Sequence, residues 1–325
     1  MTLLFGPNAS GKTNLLEAIH VLALGRSFRG AKDSELLAFG GSLLAVSGAD
    51  DKGTRAEVRY DGTEKRVLLN DTAVSRLSDF LGWLPVVALL LDDIDLVAGP
   101  PSGRRQFLDL AIAKLDREYI RALAGYRRVL VQFNRLLEQH GPDDQYDAWS
   151  SELVRQGLPV IKARRSHAQD LLGRAERYFE QLTGAHPGFS HRQSVANEDP
   201  AEGFRRRLAE TRERSQRLGL VLAGPHRDDI ELCSGGRDLR RFGSVGEQRL
   251  AAIALRLAEA DGLVLAKGTK PVLLADEVLA ELDDERSREV TELMLAKGQV
   301  VYAAARRLPL DGKAYRIEKG KAEEV

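Results

Sequence analysis

The first thirty residues pair a short apolar strand with an amphipathic helix. Leu3 to Phe5 is apolar without interruption, and a glycine-rich segment follows it. Beyond that segment, apolar residues recur at the spacings that mark one face of a helix. They are Leu15, Leu16, Ile19, Leu22 and Ala23. The opening therefore predicts a strand, a tight turn and a helix with one buried face.

Short strands are predicted between residues 43 and 91. Asp61-Gly62 is a typical hairpin turn, and it separates two strand-like runs, Ala56 to Tyr60 and Thr63 to Leu69. This arrangement predicts an antiparallel meander. Val86 to Leu91 is a further apolar strand, and the segment Gly99 to Gly103, with its two prolines, ends this part of the chain.

Residues 105 to 217 are rich in charge and have a helical pattern. One apolar seam consists of Leu123, Tyr126, Leu130, Phe133 and Leu137, and a returning seam of Leu172, Ala175, Phe179 and Leu182. Gly141-Pro142 lies between them as a turn. The pattern predicts an inserted antiparallel helical arm. Pro159 should kink or interrupt the returning helix, since proline cannot donate a backbone hydrogen bond.

An α/β pattern resumes after the arm, with apolar strands at Pro271 to Ala275 and Val300 to Ala304. We therefore expect one split head domain, formed by residues 1–104 and 218–325, and an inserted arm of residues 105–217. The insertion is short, so a long coiled arm is excluded.

The amino-acid composition excludes few classes of binding partner. The 325 residues include 48 basic and 48 acidic ones, so any contact with DNA must come from a local basic patch. A single cysteine, Cys233, rules out an intrachain disulfide. No apolar run reaches the length of about 18 residues that a membrane span needs, and no signal peptide opens the chain. These features predict a cytoplasmic protein without a membrane segment.

The glycine-rich turn fits the P-loop pattern. It reads Gly6, Pro7, Asn8, Ala9, Ser10, Gly11, Lys12 and Thr13. In such a loop the backbone N–H groups surround phosphates, Lys12 neutralises their charge and the Thr13 hydroxyl is a ligand for Mg²⁺. The helix that follows adds the positive end of its dipole. A nucleotide site for ATP with Mg²⁺ is therefore predicted here.

Two carboxylates end the apolar strand Val272 to Ala275. A P-loop ATPase needs one acidic residue to hold Mg²⁺ and another to polarise the attacking water. Asp276 is the candidate metal residue and Glu277 the candidate base. Acidic pairs after buried strands are common, and it is the combination with the P-loop that makes this pair a candidate catalytic site together with Lys12.

A third candidate segment precedes the acidic pair by about thirty residues. Ser244, Gly246 and Glu247 open an apolar helix that includes Leu250 to Ala258. An exposed helix N-terminus of this kind suits the γ-phosphate of a nucleotide held by another subunit. Ala280 to Asp283, just after the acidic pair, is a short acidic loop that would face the same interface.

These motifs together resemble the ABC-type ATPases, and their order resembles the chromosome-maintenance branch of that family. The resemblance implies an α/β P-loop head with a mixed sheet and an inserted α-helical arm subdomain. Three further segments are similar to the RecF family. They are Gly25 to Arg29, Gly99 to Asp109 and Gly224 to Asp229. What RecF resemblance implies is ATP binding, ATP-dependent homodimerisation, attachment to DNA at gaps or single-strand/double-strand junctions, and help in recombinase loading with RecR and RecO partners.

Alternatives remain open at several residues. Arg104, Arg105 and the arginines between Arg205 and Arg217 can contact phosphate or form solvated helix faces. For Arg26 and Arg29, ATP sensing, DNA contact and a structural role are all open. His226 can be a metal or catalytic group, but a structural or interface role is preferred.

Two functions from different classes compete. The first is a slow ATPase that uses Lys12, Thr13, Asp276 and Glu277 of one subunit with Ser244 of another. The second is a nucleotide-binding module that bridges DNA without significant hydrolysis. The run Ala303 to Ala305 favours the second, because it lacks a side chain that senses the γ-phosphate, and so do the few residues before the P-loop. A transporter ATPase is disfavoured by the helical insertion.

Overall fold

The computed structural model describes residues 1–140, 142–196, 198–307 and 312–325. They form two compact units. The first comprises Met1–Ile94, Gln181–Thr183 and Ala252–Val325, and the second Asp95–Glu180 and Gly184–Ala251. Residues 95–104 and 218–251 thus belong to the second unit. The sequence-based division into a head of 1–104 and 218–325 and an arm of 105–217 stays a prediction.

A mixed six-stranded sheet forms the centre of the first unit. Its strands are β1 (Thr2–Phe5), β6 (Val86–Leu90), β10 (Val272–Asp276), β11 (Gln299–Ala304), β12 (Lys313–Glu318) and β13 (Lys321–Glu324). They lie in the order β13-β12-β1-β11-β10-β6, and every neighbouring pair is parallel except β12 with β13. The predicted mixed sheet of the α/β head is therefore confirmed.

Helix α1 (Lys12–Leu24) packs on this sheet through its apolar face. Leu16 and Ala23 are fully buried with Leu274 and Ala303 of the sheet. Leu15, predicted to share that face, is instead 38% exposed. The sheet therefore covers Leu16 but leaves Leu15, one position before it, at the edge of the buried face.

The predicted meander forms a second sheet of the first unit. Its strands are β2 (Leu44–Ala49), β3 (Arg55–Tyr60), β4 (Lys65–Leu69) and β5 (Thr72–Ala73), each antiparallel to the next. The turn at Asp61-Gly62 joins β3 to β4, and the Asp61 carboxylate accepts the backbone N–H groups of Thr63 and Glu64. These bonds hold the turn and lower the pKa of Asp61 to about 2. The hairpin prediction is confirmed.

Helices make up most of the second unit. They are α3 (Asp95–Ala98), α4 (Pro101–Leu115), α5 (Arg117–Glu138), α6 (Asp143–Thr183), α7 (Pro200–Leu218) and α8 (Leu239–Phe242). The short α2 (Leu77–Phe80) and α10 (Asp284–Lys297) belong to the first unit, whereas α9 (Val245–Lys267) and the end of α6 contribute residues to both. Tyr126, Phe133, Leu137 and Phe179 of the predicted seams are buried.

Two features of the predicted arm differ from expectation. Pro159 does not interrupt the returning helix, because α6 is helical from Asp143 to Thr183 with the proline inside it, and a kink at that position stays a prediction. The segment is also not wholly helical. Strand β7 (Pro187–Arg192) pairs with β8 (Asp229–Ser234), which in turn pairs with β9 (Arg237–Asp238). The partner of β7 lies beyond residue 217, so the local pattern did not reveal the strand.

No helix of the described part of the chain is long and apolar enough to cross a membrane.

Candidate functional site

The predicted P-loop connects β1 to α1 at the carboxyl edge of the six-stranded sheet. A Cβ atom at Gly6 would stand 2.2 Å from the backbone oxygen of Ile317, so no larger residue fits there. Gly11 caps α1 with φ at 105°, in the left-handed region that favours glycine. Two glycines of the motif are thus required by the close packing and the tight turn.

The side chain of Lys12 folds back over the loop. Its Nζ donates hydrogen bonds to the backbone oxygens of Gly6, at 2.9 Å, and Pro7, at 3.0 Å, and the residue is only 4% exposed. An ammonium group has three N–H donors. Two of them hold the loop in shape, and the third remains for an anion.

Ser10 is the one loop residue with an unused buried polar group. Its backbone is satisfied, since the N–H donates to Pro7 and the carbonyl oxygen accepts from Gly320. Its Oγ is buried and has no hydrogen-bond partner among the described residues. A buried hydroxyl without a partner costs about 1–3 kcal/mol. This cost indicates that a polar ligand completes the loop.

The acidic pair lies two strands from β1 on the same sheet edge. Strand β10 ends at Asp276, and β11 separates it from β1. Burial raises the pKa of Asp276, and Glu277 adds to the rise, whereas a hydrogen bond with the Thr13 side chain and the charges of Arg29 and Lys12 oppose it. The fold therefore brings the predicted metal residues Thr13 and Asp276 into direct contact.

Glu277 has a strained backbone. Its φ of 50° lies in the left-handed region, which costs a residue with a Cβ about 1–2 kcal/mol. Its N–H donates to the backbone oxygen of Ala303 at 3.0 Å, and its carbonyl oxygen accepts from Ala280. Strain of this kind gathers at functional sites, because surrounding structure must hold it in place. The bond to Ala303 fixes where the Glu277 side chain leaves the backbone.

Arg29 belongs to the same neighbourhood. The Ser27 hydroxyl donates to the Glu17 carboxylate and accepts the backbone N–H of Arg29 at 2.9 Å. The Arg29 guanidinium lies 3.7 Å from Glu17, and its charge acts on Asp276. The segment Gly25 to Arg29 thus contributes one arginine whose charge lowers the pKa of Asp276.

Ser244, Gly246 and Glu247 lie in the second unit, at the start of α9. The Ser244 N–H and hydroxyl both donate to the Glu247 carboxylate at 2.9 Å, and the Glu247 N–H donates back to Ser244 Oγ at 3.2 Å. This is a capping box, which fixes the first turn of the helix. A Cβ at Gly246 would meet no atom within 4 Å, so the surface there is open.

Residues 99–109 and 224–229 meet in a buried network of ion pairs in the second unit. Arg164 of α6 binds Asp109 at 2.8 Å and Asp228 at 3.0 Å. Arg104 binds Asp229 through two parallel hydrogen bonds of 2.7 and 3.1 Å. Sequence reasoning singled out the two segments but missed Arg164, because that residue lies in an ordinary helical pattern without any motif around it.

His226 completes this buried region. Its Nε2 lies 2.9 Å from the Val221 backbone oxygen and its Nδ1 lies 2.6 Å from the Tyr126 hydroxyl. A neutral ring that donates from Nε2 and accepts at Nδ1 satisfies both bonds. Burial lowers the pKa of His226 to about 4. These contacts favour the structural role over a metal or catalytic one.

The donors around the P-loop fit Mg²⁺ in the form that accompanies nucleotides. The described residues contain no group of three or more histidine, cysteine or acidic side chains that could hold a metal ion. Mg²⁺ is usually held by one or two carboxylates together with substrate phosphates and water, not by a protein cage. Thr13 and Asp276 supply that smaller set of ligands.

Known proteins share both the sequence and the fold. A sequence profile of the RecF/RecN/SMC N terminal domain matches residues 1–308. The DNA replication and repair protein RecF of Geotalea daltonii is 32% identical over 336 residues, which cover 98% of this chain and 92% of that protein. RecF of Moorella thermoacetica is 38% identical over 307 residues, which cover 92% and 82%.

Solved structures of RecF proteins also share the fold of this chain. The recombination mediator protein RecF with ATPrS, of the RecFOR pathway, has a TM-score of 0.91 and 29% identity, and the match covers 100% of this chain and 91% of that one. The structure with ATP gives the same figures. The Smc head domain of Pyrococcus furiosus, bound to a domain of ScpA, has a TM-score of 0.53, 17% identity and coverage of 100% and 89%, which shows a shared fold alone.

Proposed function

The chain belongs to the RecF family of DNA replication and repair proteins, and from that premise we propose that it is an ATP-dependent DNA-binding protein that dimerises on ATP and hydrolyses it slowly. The observation that carries this proposal is the P-loop beside the acidic pair. Lys12 spans the loop, Ser10 keeps an unused hydroxyl, and Asp276 contacts Thr13.

Phosphates of ATP would bind to the loop from Gly6 to Thr13. Lys12 supplies a positive charge, and the backbone N–H groups at the start of α1 add the positive end of the helix dipole. Ser10 Oγ gains the partner that it lacks among the described residues. ATP is bound in solved structures of the family, which supports the choice of nucleotide.

Asp276 and Thr13 would hold Mg²⁺ together with the phosphates. The ion, when bound, would neutralise charge on the phosphate oxygens. Contact with the metal favours the ionised form of Asp276, so it would counteract the rise in pKa that burial causes. The hydrogen bond with Thr13 already holds the two ligands side by side.

Glu277 is the candidate base for hydrolysis. A base must be held at a fixed position beside the attacking water. The left-handed backbone of Glu277 and its hydrogen bond to Ala303 would provide that positioning. The adjacent Asp276 is partly buried, so the site is partly shielded from solvent.

Ser244, Gly246 and Glu247 would complete the site from a second copy of the chain. The capping box fixes the first turn of α9, and the open surface at Gly246 lets a phosphate approach the helix N-terminus. ATP would then be shared by two copies, so that dimerisation depends on the nucleotide and hydrolysis ends it.

DNA and mediator proteins are the proposed partners. We place the dimer at gapped DNA or at junctions of single and double strands, where it would assist recombinase loading with proteins of the RecR and RecO type. Support comes from the relatives, which are DNA replication and repair proteins, and from the RecFOR pathway of the solved RecF structures.

The alternative function is a nucleotide-binding module that bridges DNA without significant hydrolysis. One observation favours it. Ala303 and Ala304 end β11 beside the acidic pair, and neither side chain can hydrogen-bond a γ-phosphate. The retained Glu277 favours hydrolysis.

ATP turnover with and without gapped DNA tests the proposal, with dimerisation followed by light scattering. The wild type should turn ATP over slowly and dimerise only with ATP. Glu277→Gln should lose turnover and accumulate the ATP-bound dimer, because it keeps the binding residues and removes the base. Glu292→Gln, at an exposed position of α10 outside the acidic loop, is the matched control and should behave as the wild type. A wild type that dimerises on ATP without turnover would support the alternative, and one that neither dimerises nor turns ATP over would contradict both.

A further inference from the structure

A groove in the second unit is lined by four arginines. These are Arg192, Arg207, Arg214 and Arg227, and the other described lining residues are Gln193, Ser194, Thr211 and Leu222. We call this surface the arginine groove. Its volume is about 400 Å³, and none of its described lining residues is acidic. In a chain whose net charge is zero, such a set is a strong local concentration of positive charge.

The walls of the groove come from separate elements. Arg207, Thr211 and Arg214 are spaced at i, i+4 and i+7 on one face of α7. Arg192 ends β7, and Arg227 is the last residue of the short 3-10 turn before β8. Residues at this helical spacing lie along one stripe. The groove therefore brings together charges that are far apart in the sequence.

Several of its donors are already held in place. The Arg227 guanidinium donates to the Val221 backbone oxygen from Nε and from one terminal nitrogen, at 3.4 and 3.1 Å. Its remaining N–H donors are left for a ligand, since a guanidinium has five. Arg207 and Arg192 pair with Glu210 and Glu231, which lie outside the lining set. Such exposed pairs are weak in water, so a phosphate can compete for these arginines.

We propose that the arginine groove is a binding site for the phosphate backbone of DNA. Arg207 and Arg214 are seven residues apart, which is about 10 Å along the helix. This separation lets the two arginines contact different phosphates of one strand. Gln193 and Ser194 add neutral donors of the kind that contact phosphate and sugar.

The lining favours a nucleic acid over an acidic protein. Leu222 is the one apolar residue among the described lining residues. The centre of a protein interface is usually apolar and rich in aromatic residues, whereas surfaces that bind DNA are polar and strongly positive. No base-reading geometry is needed, so the site binds without regard to sequence. This inference rests on the proposal that the protein acts on DNA.

Fluorescence anisotropy with a labelled gapped duplex tests the site in the full chain with ATP and Mg²⁺. The groove variant is Arg207→Gln with Arg214→Gln. The matched control is Arg205→Gln with Arg217→Gln, which removes the same charge from exposed positions of the same helix. The groove variant should bind at least about tenfold more weakly, because it loses charged contacts, and the control should bind as the wild type.

The salt dependence gives a second reading. Each lost phosphate contact should reduce the slope of log affinity against log salt by about 0.9, so the groove variant should lose about 1.8. Arg207→Lys with Arg214→Lys should keep most of the slope, since lysine also neutralises a phosphate. Melting temperatures of all variants should match that of the wild type, which separates binding from folding.

Three results would overturn the inference. Equal DNA affinity of groove variant and wild type would reject the DNA site and favour an acidic protein as the ligand. Equal losses in the groove and control variants would show that only net charge matters. Displacement of the duplex by inorganic phosphate at constant ionic strength would identify a site for free phosphate. A wild type that binds no DNA at all would instead reject the DNA-binding part of the proposed function.

Discussion

Two charged clusters, one in each compact unit, differ in what their polar groups bind. Around the P-loop, Lys12 uses two of its three donors on the loop itself, and Ser10 Oγ has no partner among the described residues. Around Arg164, the guanidinium is only 3% exposed and contacts Asp109, Asp228 and the backbone oxygen of Pro225. The P-loop cluster has capacity for a ligand, whereas the guanidinium of Arg164 is satisfied within the protein.

This difference separates binding from stability among residues that look alike in the sequence. The P-loop and the segments 99–109 and 224–229 are all rich in glycine, proline and charge. In the first case the glycines make room for a ligand, and in the other two the charges hold helices and a strand together. A sequence motif can therefore be assigned to ligand binding or to stability only when the hydrogen-bond partners of its polar groups are known.

Loss of Arg164 should have the largest effect on stability. Arg164→Met leaves the buried Asp109 and Asp228 carboxylates without their main partner, and breaking a buried ion pair costs about 3–5 kcal/mol. Denaturant unfolding should show a loss of that size. Arg155→Met, which removes an exposed pair from the same helix, should cost less than about 1 kcal/mol. Similar losses in both variants would contradict the distinction between the clusters.

Acid should destabilise the second unit through His226. Its pKa is about 4 when folded, below the value of about 6.5 for an unfolded histidine, so the unfolded chain takes up the proton first as the pH falls. Stability is therefore complete above about pH 6.5 and declines toward pH 4, with a loss of about 2 kcal/mol between pH 7 and pH 5. Measuring the free energy of unfolding of the wild type and of His226→Gln at pH 7 and at pH 5 isolates the contribution of His226. The same pH dependence in the variant would mean that His226 is not responsible.

Ser10→Ala should have the smallest effect on stability and a clear effect on ATP binding. Removing a buried hydroxyl that lacks a partner should stabilise the ligand-free protein by about 1 kcal/mol, because the cost of burying that group without a hydrogen bond is removed. The affinity for ATP should fall by about tenfold, because the hydroxyl would bind a charged phosphate. Calorimetric titration measures the affinity and thermal unfolding the stability. A strongly destabilised variant with unchanged affinity would show that Ser10 serves the fold.

Local patterns predicted much of the first unit. The P-loop, the hairpin at Asp61-Gly62 and the acidic end of β10 each depend on residues close together in the sequence, and each forms as expected. The ATPase roles assigned to these residues stay predictions. Local patterns could not reveal β7, whose partner Asp229–Ser234 is distant, because strand pairing is set by contacts across the chain.

Three further differences between the sequence predictions and the structure concern Arg164, Leu15 and Pro159. Arg164 lies in a helix with many other charged residues, and only burial distinguishes it from them. Leu15 fits the helical spacing as well as Leu16 does, and packing against the sheet decides which of the two is buried. Pro159 is accommodated within α6, although proline usually disfavours a helix interior. For Arg164 and Leu15, tertiary contacts decide an outcome that several local patterns allow.

The most direct test of the central claim is equilibrium binding of ATP with Mg²⁺ to the wild type and to Lys12→Ala. The claim is that the P-loop cluster is built for a ligand. The wild type should bind one ATP per chain, and Lys12→Ala should bind at least about thirtyfold more weakly while it remains folded, because a shielded charged contact to phosphate is lost. Equal affinity of the two proteins, or no binding by either, would contradict the claim.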